Sequence, residues 1–116
     1  MSSTTIYHNP HCSKSRQTLQ LLEQQGVRPQ VVLYLQAPPS AETLRKIIGL
    51  LGIEPIDLIR KQEPPYRELG LAAKHNDHEA LIQAMVRHPV LIERPVVVHA
   101  DKAAIGRPPE KVLKIL

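Results

Sequence analysis

The sequence contains no phenylalanine and no tryptophan, and its only aromatics are three tyrosines at positions 7, 34 and 66. The core must therefore be Leu, Ile and Val, and little is available for stacking nucleic-acid bases. One cysteine, Cys12, occurs in 116 residues. That excludes an intramolecular disulfide and suits a reducing compartment, so a cytoplasmic location is expected. No apolar run approaches the roughly 18 residues of a membrane span. The N-terminus lacks the basic-then-apolar order of a signal peptide. Fifteen basic residues against eleven acidic ones give a net charge of +4 without a basic cluster. That balance fits a small-anion site, and no nucleic-acid or membrane partner is expected. There is no internal repeat, low-complexity tract or linker. The length indicates a single domain over residues 1–116 that buries roughly two-thirds of its unfolded surface.

What the sequence does have is concentrated near the start. Thr4 to Tyr7 reads as a strand, and Ser13 to Gln25 reads as a helix with Leu19 and Leu22 on one face and Gly26 as its stop. Between them stands His8-Asn9-Pro10-His11-Cys12-Ser13-Lys14-Ser15-Arg16. Its polar and turn-forming residues suit an exposed loop better than a core. A thiol at a helix N-terminus meets unpaired backbone N–H groups and the positive end of the macrodipole, which favour the reactive thiolate. The same groups attract an oxyanion. Lys14 and Arg16 bring positive charge into a first turn where Asp or Glu is the structural choice. The alternative for Cys12 is a small, inert, buried hydrophobe. His8 is suited to accept a proton or to stand as a second cation near the thiol, unless it is only a polar loop residue. The Ser15 hydroxyl is suited to donate to the thiolate or an oxyanion, or to bond within the first helical turn.

Val31-Val32-Leu33-Tyr34-Leu35 is an apolar run that suggests a second strand buried on both faces, parallel to the first across a βαβ unit. Ser40 can cap a helix in which Leu44, Ile47, Ile48 and Leu51 form a stripe, ended by Gly52. Short helical turns are expected from Pro55 to Arg60 and from Pro65 to Leu69. Asp77 can cap a further helix running to Arg87. Arg94 to His99 and Ala103 to Gly106 read as an antiparallel hairpin. A last helix, Glu110 to Leu116, should carry Val112, Leu113 and Leu116 on one side. The order βαβ, helices, ββα predicts an α/β domain with a mixed four-stranded sheet and a helical insertion at about residues 40–88.

The segment His8 to Cys12, with Arg60, Arg94-Pro95 and Gly106-Arg107-Pro108, resembles the glutaredoxin-coupled arsenate reductases, and the likeness runs through nearly the whole chain. The resemblance implies a thioredoxin-like fold, a nucleophilic Cys12, and Arg60, Arg94 and Arg107 around an oxyanion. It also implies a cis Pro95 and glutathione as co-substrate with glutaredoxin as partner; no bound cofactor or metal is expected. Guanidinium groups stay charged, bind oxyanion oxygens in pairs and depress a neighbouring thiol pKa. Taken singly, each arginine also reads as a surface charge or a helix-end residue. Two departures stand out. His11 and Ser13-Lys14 flank the thiol where the arsenic-resistance enzymes have small residues, and this chain ends at Leu116, where those enzymes continue with a tail. Three other readings are open. One is a thiol-redox protein acting on another anion. Another is an Spx-like transcription regulator, although Cys12-Ser13-Lys14-Ser15 lacks the Cys-x-x-Cys pair of such sensors. The third is a metal site at His8, His11 and Cys12, which has no obvious fourth ligand. The pair His75 and His78 suits an exposed helix start better than metal ligation.

Overall fold

The computed structural model describes residues 3–116. Two compact units make up the chain. One joins its two ends, up to Ala37 and from Arg94 onward, and the other comprises Pro38–Glu93.

The first unit holds the sheet. Its strands are β1 (Thr4–Tyr7), β2 (Gln30–Val32), β3 (Val96–His99) and β4 (Lys102–Ile105), in the order β2-β1-β3-β4. β1 pairs with β2 in parallel, and β3 pairs antiparallel with both β1 and β4. This is the mixed sheet that the βαβ and ββα pattern predicts. Helix α1 (Ser13–Gln24) supplies Leu22 to a core shared with Ile6, Val97 and Val112, all fully buried. Burying each such side chain contributes roughly 1.5–3 kcal/mol, so this small cluster ties sheet, helix and C-terminal segment together. Past Gln25 the chain turns at Gly26, whose φ of +77° is readily reached only without a side chain.

Two expectations for this unit are overturned. The second strand does not run from Val31 to Leu35. β2 stops at Val32, and the N–H groups of Gln36 and Ala37 both donate to the Leu33 carbonyl at 2.9 Å, closing a turn. Nor is β2 buried on both faces: it is an edge strand, and Val31 is 43% exposed. The C-terminal segment is a 3-10 helix over Pro109–Ile115. Three residues per turn place positions 109, 112 and 115 on one side. Pro109 and Val112 are buried and Ile115 partly so, while Leu113 and Leu116 are exposed.

The second unit is helical: α2 (Ala41–Leu51), a 3-10 turn at Pro55–Leu58, α3 (Pro64–Glu68), a 3-10 turn at Leu71–Lys74, α4 (His78–Arg87) and a 3-10 turn at Pro89–Leu91. The turns at Leu71 and Pro89 carry no signal the sequence reading used. Local chemistry sets the long helices. Ser40 Oγ accepts from Thr43 N–H at 3.1 Å, Asp77 Oδ1 accepts from Ala80 N–H at 3.1 Å, and Gly52 closes α2 in the left-handed conformation. The apolar stripe of α2 (Leu44, Ile47, Ile48) and that of α4 (Leu81, Ile82, Met85) are buried, and the two helices pack together. An isolated antiparallel bridge joins Ile59 to Ile92. Beside it Arg60 N–H donates to Leu91 O at 2.7 Å, and Glu93 N–H donates to Leu58 O at 2.8 Å.

Candidate active site

Cys12 is the N-cap residue of α1, with extended backbone angles. The loop before it is held by three bonds: Cys12 N–H donates to Asn9 O at 3.0 Å, His11 N–H to the side-chain Asn9 Oδ1 at 2.9 Å, and His8 N–H to Val32 O of β2 at 2.8 Å. Cys12 ends up 8% exposed while His11, Ser13 and Lys14 around it are exposed. Burial pushes the thiol pKa up. The N–H groups of Ser15 and Lys14 and the Arg94 guanidinium pull it down, and the balance falls below the ordinary 9.0. No side-chain hydrogen bond of capping geometry starts the helix. The open N–H groups instead face sulfur and act on its charge.

Two of the predicted arginines meet at the thiol. Arg107 Nη2 donates to Cys12 Sγ at 3.5 Å, and its Nε donates to the Arg94 carbonyl at 2.8 Å. The Arg94 side chain also hydrogen-bonds the sulfur. The peptide bonds Arg94–Pro95 and Arg107–Pro108 are both cis. The resemblance implies the first; nothing in the sequence reading anticipated the second. The third arginine, Arg60, lies in the helical unit, where its Nη1 meets Glu93 Oε1 at 2.9 Å and its Nε lies 3.7 Å from Glu63 Oε2.

His8 and Ser15 are brought together. Both are buried, and His8 Nδ1 and Ser15 Oγ share a hydrogen bond of 2.6 Å. Ser15 Oγ also accepts from Asn9 N–H at 3.0 Å. Burial first, and the nearby Arg16 second, hold the His8 pKa below 6.5. The neutral ring therefore dominates at pH 7, which disfavours a second cation and suits a proton acceptor. Arg16 itself donates to Pro10 O at 2.8 Å, clasping the loop. Sequence reasoning passed over Asn9, whose carbonyl and side chain shape the loop; its place within a turn-forming run was the available signal. Among the described residues, no three or more His, Cys, Asp or Glu side chains are grouped to hold a metal, and no helix is long and apolar enough to cross a membrane.

A nucleophile in a basic, donor-rich cradle can attack an electrophilic oxyanion, and the fold around it is widely shared. The profile of the ArsC family matches residues 7–115. The chain is 56% identical to an uncharacterised Escherichia coli K12 protein, YfgD, over 96% of this chain and 94% of that one. It is 48% identical to an arsenate reductase of Haemophilus influenzae, covering 98% and 99% of the two chains. A solved arsenate reductase structure from Vibrio cholerae superposes with a TM-score of 0.95 at 51% identity, over 98% of each chain. The chain is a member of the ArsC family.

Proposed function

We propose that this protein reduces arsenate to arsenite, with Cys12 as nucleophile and Arg94 and Arg107 as oxyanion ligands. The observation that carries the reading is the Arg107 guanidinium donating to Cys12 Sγ at 3.5 Å, at the start of a helix whose first N–H groups face the same sulfur. Full-length relatives named arsenate reductases support the choice of substrate.

The thiolate attacks arsenic, an S–As bond forms, and one oxygen leaves as water once protonated. Arginines and backbone donors stabilise the charge on the remaining oxygens. Neutral His8, coupled to Ser15, is the group suited to accept a proton near the thiol. Arsenic(V) then needs two electrons. Cys12 is the only cysteine, so an outside thiol attacks, which the resemblance supplies as glutathione followed by glutaredoxin. Glutathione displaces a second oxygen from the Cys12-bound arsenic as water. The glutaredoxin thiolate then attacks the glutathione sulfur, that S–As bond breaks with its electron pair staying on arsenic, and the two outside thiols leave as a mixed disulfide. Water finally displaces Cys12 from As(III), releasing arsenite and the thiolate. The chemistry calls for no bound cofactor. A cytoplasmic location suits a thiol that must be kept reduced.

The test is NADPH consumption with arsenate, glutathione, glutathione reductase and glutaredoxin, beside a Cys12→Ser control. Arsenate-dependent turnover that disappears in the control is expected. A wild-type protein with an intact thiol and no arsenate-dependent turnover would overturn the substrate. A depressed thiol pKa would then favour a redox protein acting on another anion.

A further inference from the structure

Thr18 takes no part in the chemistry above, yet it is fully buried six residues into the helix that carries Cys12. Its hydroxyl has one hydrogen and two acceptors nearby: the Lys14 carbonyl at 2.8 Å and the Gly106 carbonyl at 3.4 Å. Gly106 is pressed onto it. A Cβ at that position would overlap the Thr18 hydroxyl, lie 3.0 Å from Thr18 Cγ2 and lie 2.8 Å from Pro95 Cγ. The Gly106 N–H donates to Pro95 O at 2.9 Å, so its backbone is fixed on both sides. Arg107 follows directly. Its N–H donates to Ile105 O at 2.9 Å, its Nε is tied to Arg94 O, and only then does the guanidinium reach sulfur.

We infer that Thr18 is a positioning residue: its hydroxyl sets the distance between α1 and Gly106, and so places the Arg107 guanidinium on the Cys12 sulfur. An arginine side chain has many rotamers, and its head is placed reproducibly only when root and middle are both held. The Arg94 carbonyl holds the middle. Thr18 and Pro95 hold the root, and Thr18 connects that root to the helix bearing the nucleophile. The donor is shared with the helix's own carbonyl, so the link costs the helix little.

The inference rests on Arg107 as the cation facing sulfur in the proposed reaction, and its test needs neither arsenate nor glutathione. Alkylation of the single cysteine by iodoacetate and by iodoacetamide is measured at one pH, and the two rates are divided. The thiolate fraction cancels, leaving a ratio that reports positive charge beside the sulfur. Thr18→Val keeps the shape and removes the hydroxyl. Its ratio is expected to fall about fivefold, the factor carried by one unit-charge contact near 4 Å even in water. Thr18→Ser, which keeps the hydroxyl, should retain the wild-type ratio. Circular dichroism confirms folding, and Thr18→Ala replaces Thr18→Val should the latter not fold. A folded Thr18→Val or Thr18→Ala protein with the wild-type ratio overturns the inference, as does an equal loss in Thr18→Ser. Arg107→Ala is the floor, and an unchanged ratio there would overturn the Arg107 role and the Thr18 inference together. Absence of arsenate turnover alone would touch only the substrate.

Discussion

The same substitution, glycine to alanine, is expected to have opposite effects at positions 106 and 49. At Gly106 the new methyl would overlap the Thr18 hydroxyl and lie 2.8 Å from Pro95 Cγ, well inside the ~3.5–4.0 Å of ordinary carbon contact. Neither neighbour can swing away. Thr18 is fully buried and β-branched within a helix, and the Pro95 ring is buried. Overpacking of this kind costs about 1–3 kcal/mol, and the stiffer unfolded chain returns about 0.4–1 kcal/mol. A net destabilisation of roughly 1–2 kcal/mol remains, lowering Tm by about 4–8 °C for a chain of this length. At Gly49, in the interior of α2, an added methyl meets nothing within 4 Å. Alanine there should gain about 1 kcal/mol of helix propensity and raise Tm by about 4 °C. Thermal unfolding followed by far-UV circular dichroism reads both variants, with urea titration as a second measure. The reasoning fails if Gly106→Ala stays within about 0.5 kcal/mol of wild type, or if both variants move in one direction.

Further outcomes follow from the site and the caps. Arg107→Lys offers one head group where the guanidinium reaches both Arg94 O and Cys12 Sγ; loss of a charged hydrogen bond predicts a fall in arsenate kcat/KM of roughly tenfold or more in the coupled assay. The Cys12 thiol is held below 9.0, so iodoacetamide alkylation should show its midpoint below that value, and a midpoint at 9.0 would refute the donor cradle. By linkage, the depressed thiol contributes stability that is complete above 9.0 and lost as pH falls through the folded value. The urea-derived difference between wild type and Cys12→Ser should therefore shrink toward acid. His8 is also depressed, below 6.5; its contribution is complete above 6.5 and lost as pH falls through its folded value, so wild type should lose more stability from pH 7 to pH 5 than His8→Gln. Ser40→Ala and Asp77→Ala each remove a cap bond of 3.1 Å and should cost about 1 kcal/mol in urea denaturation.

What could be read from the sequence was what is locally determined. Ser40, the Leu44/Ile47/Ile48 stripe and Gly52 define α2 within a dozen residues, and the structure has that helix with that cap and that stop. An apolar run does not by itself set strand length: Leu33 turns the chain where β2 would continue, and Tyr34 is buried outside any strand. In the last helix the backbone repeats every three residues, so a 3.6-residue period picks the wrong face. The site divides in the same way. A cysteine opening a helix is visible in a stretch of ten residues. The Arg107 contact with Cys12 spans 95 positions and the Thr18 contact with Gly106 spans 88. Neither pair leaves a periodic trace, so residue type alone could not assemble them.

A cysteine standing where helices usually place serine, threonine or aspartate has a consequence for the helix itself. An oxygen cap is permanent, whereas the charge on this sulfur comes and goes with pH and with whatever is bonded to it. The first amides of α1, those of Lys14 and Ser15, face an anion only while the thiol is ionised and unmodified. Proton exchange at those two amides should therefore quicken when Cys12 is alkylated or protonated, and slow again when the thiolate is restored. The start of the helix then works as a gauge of the thiol's chemical state, readable without substrate and without a chromophore.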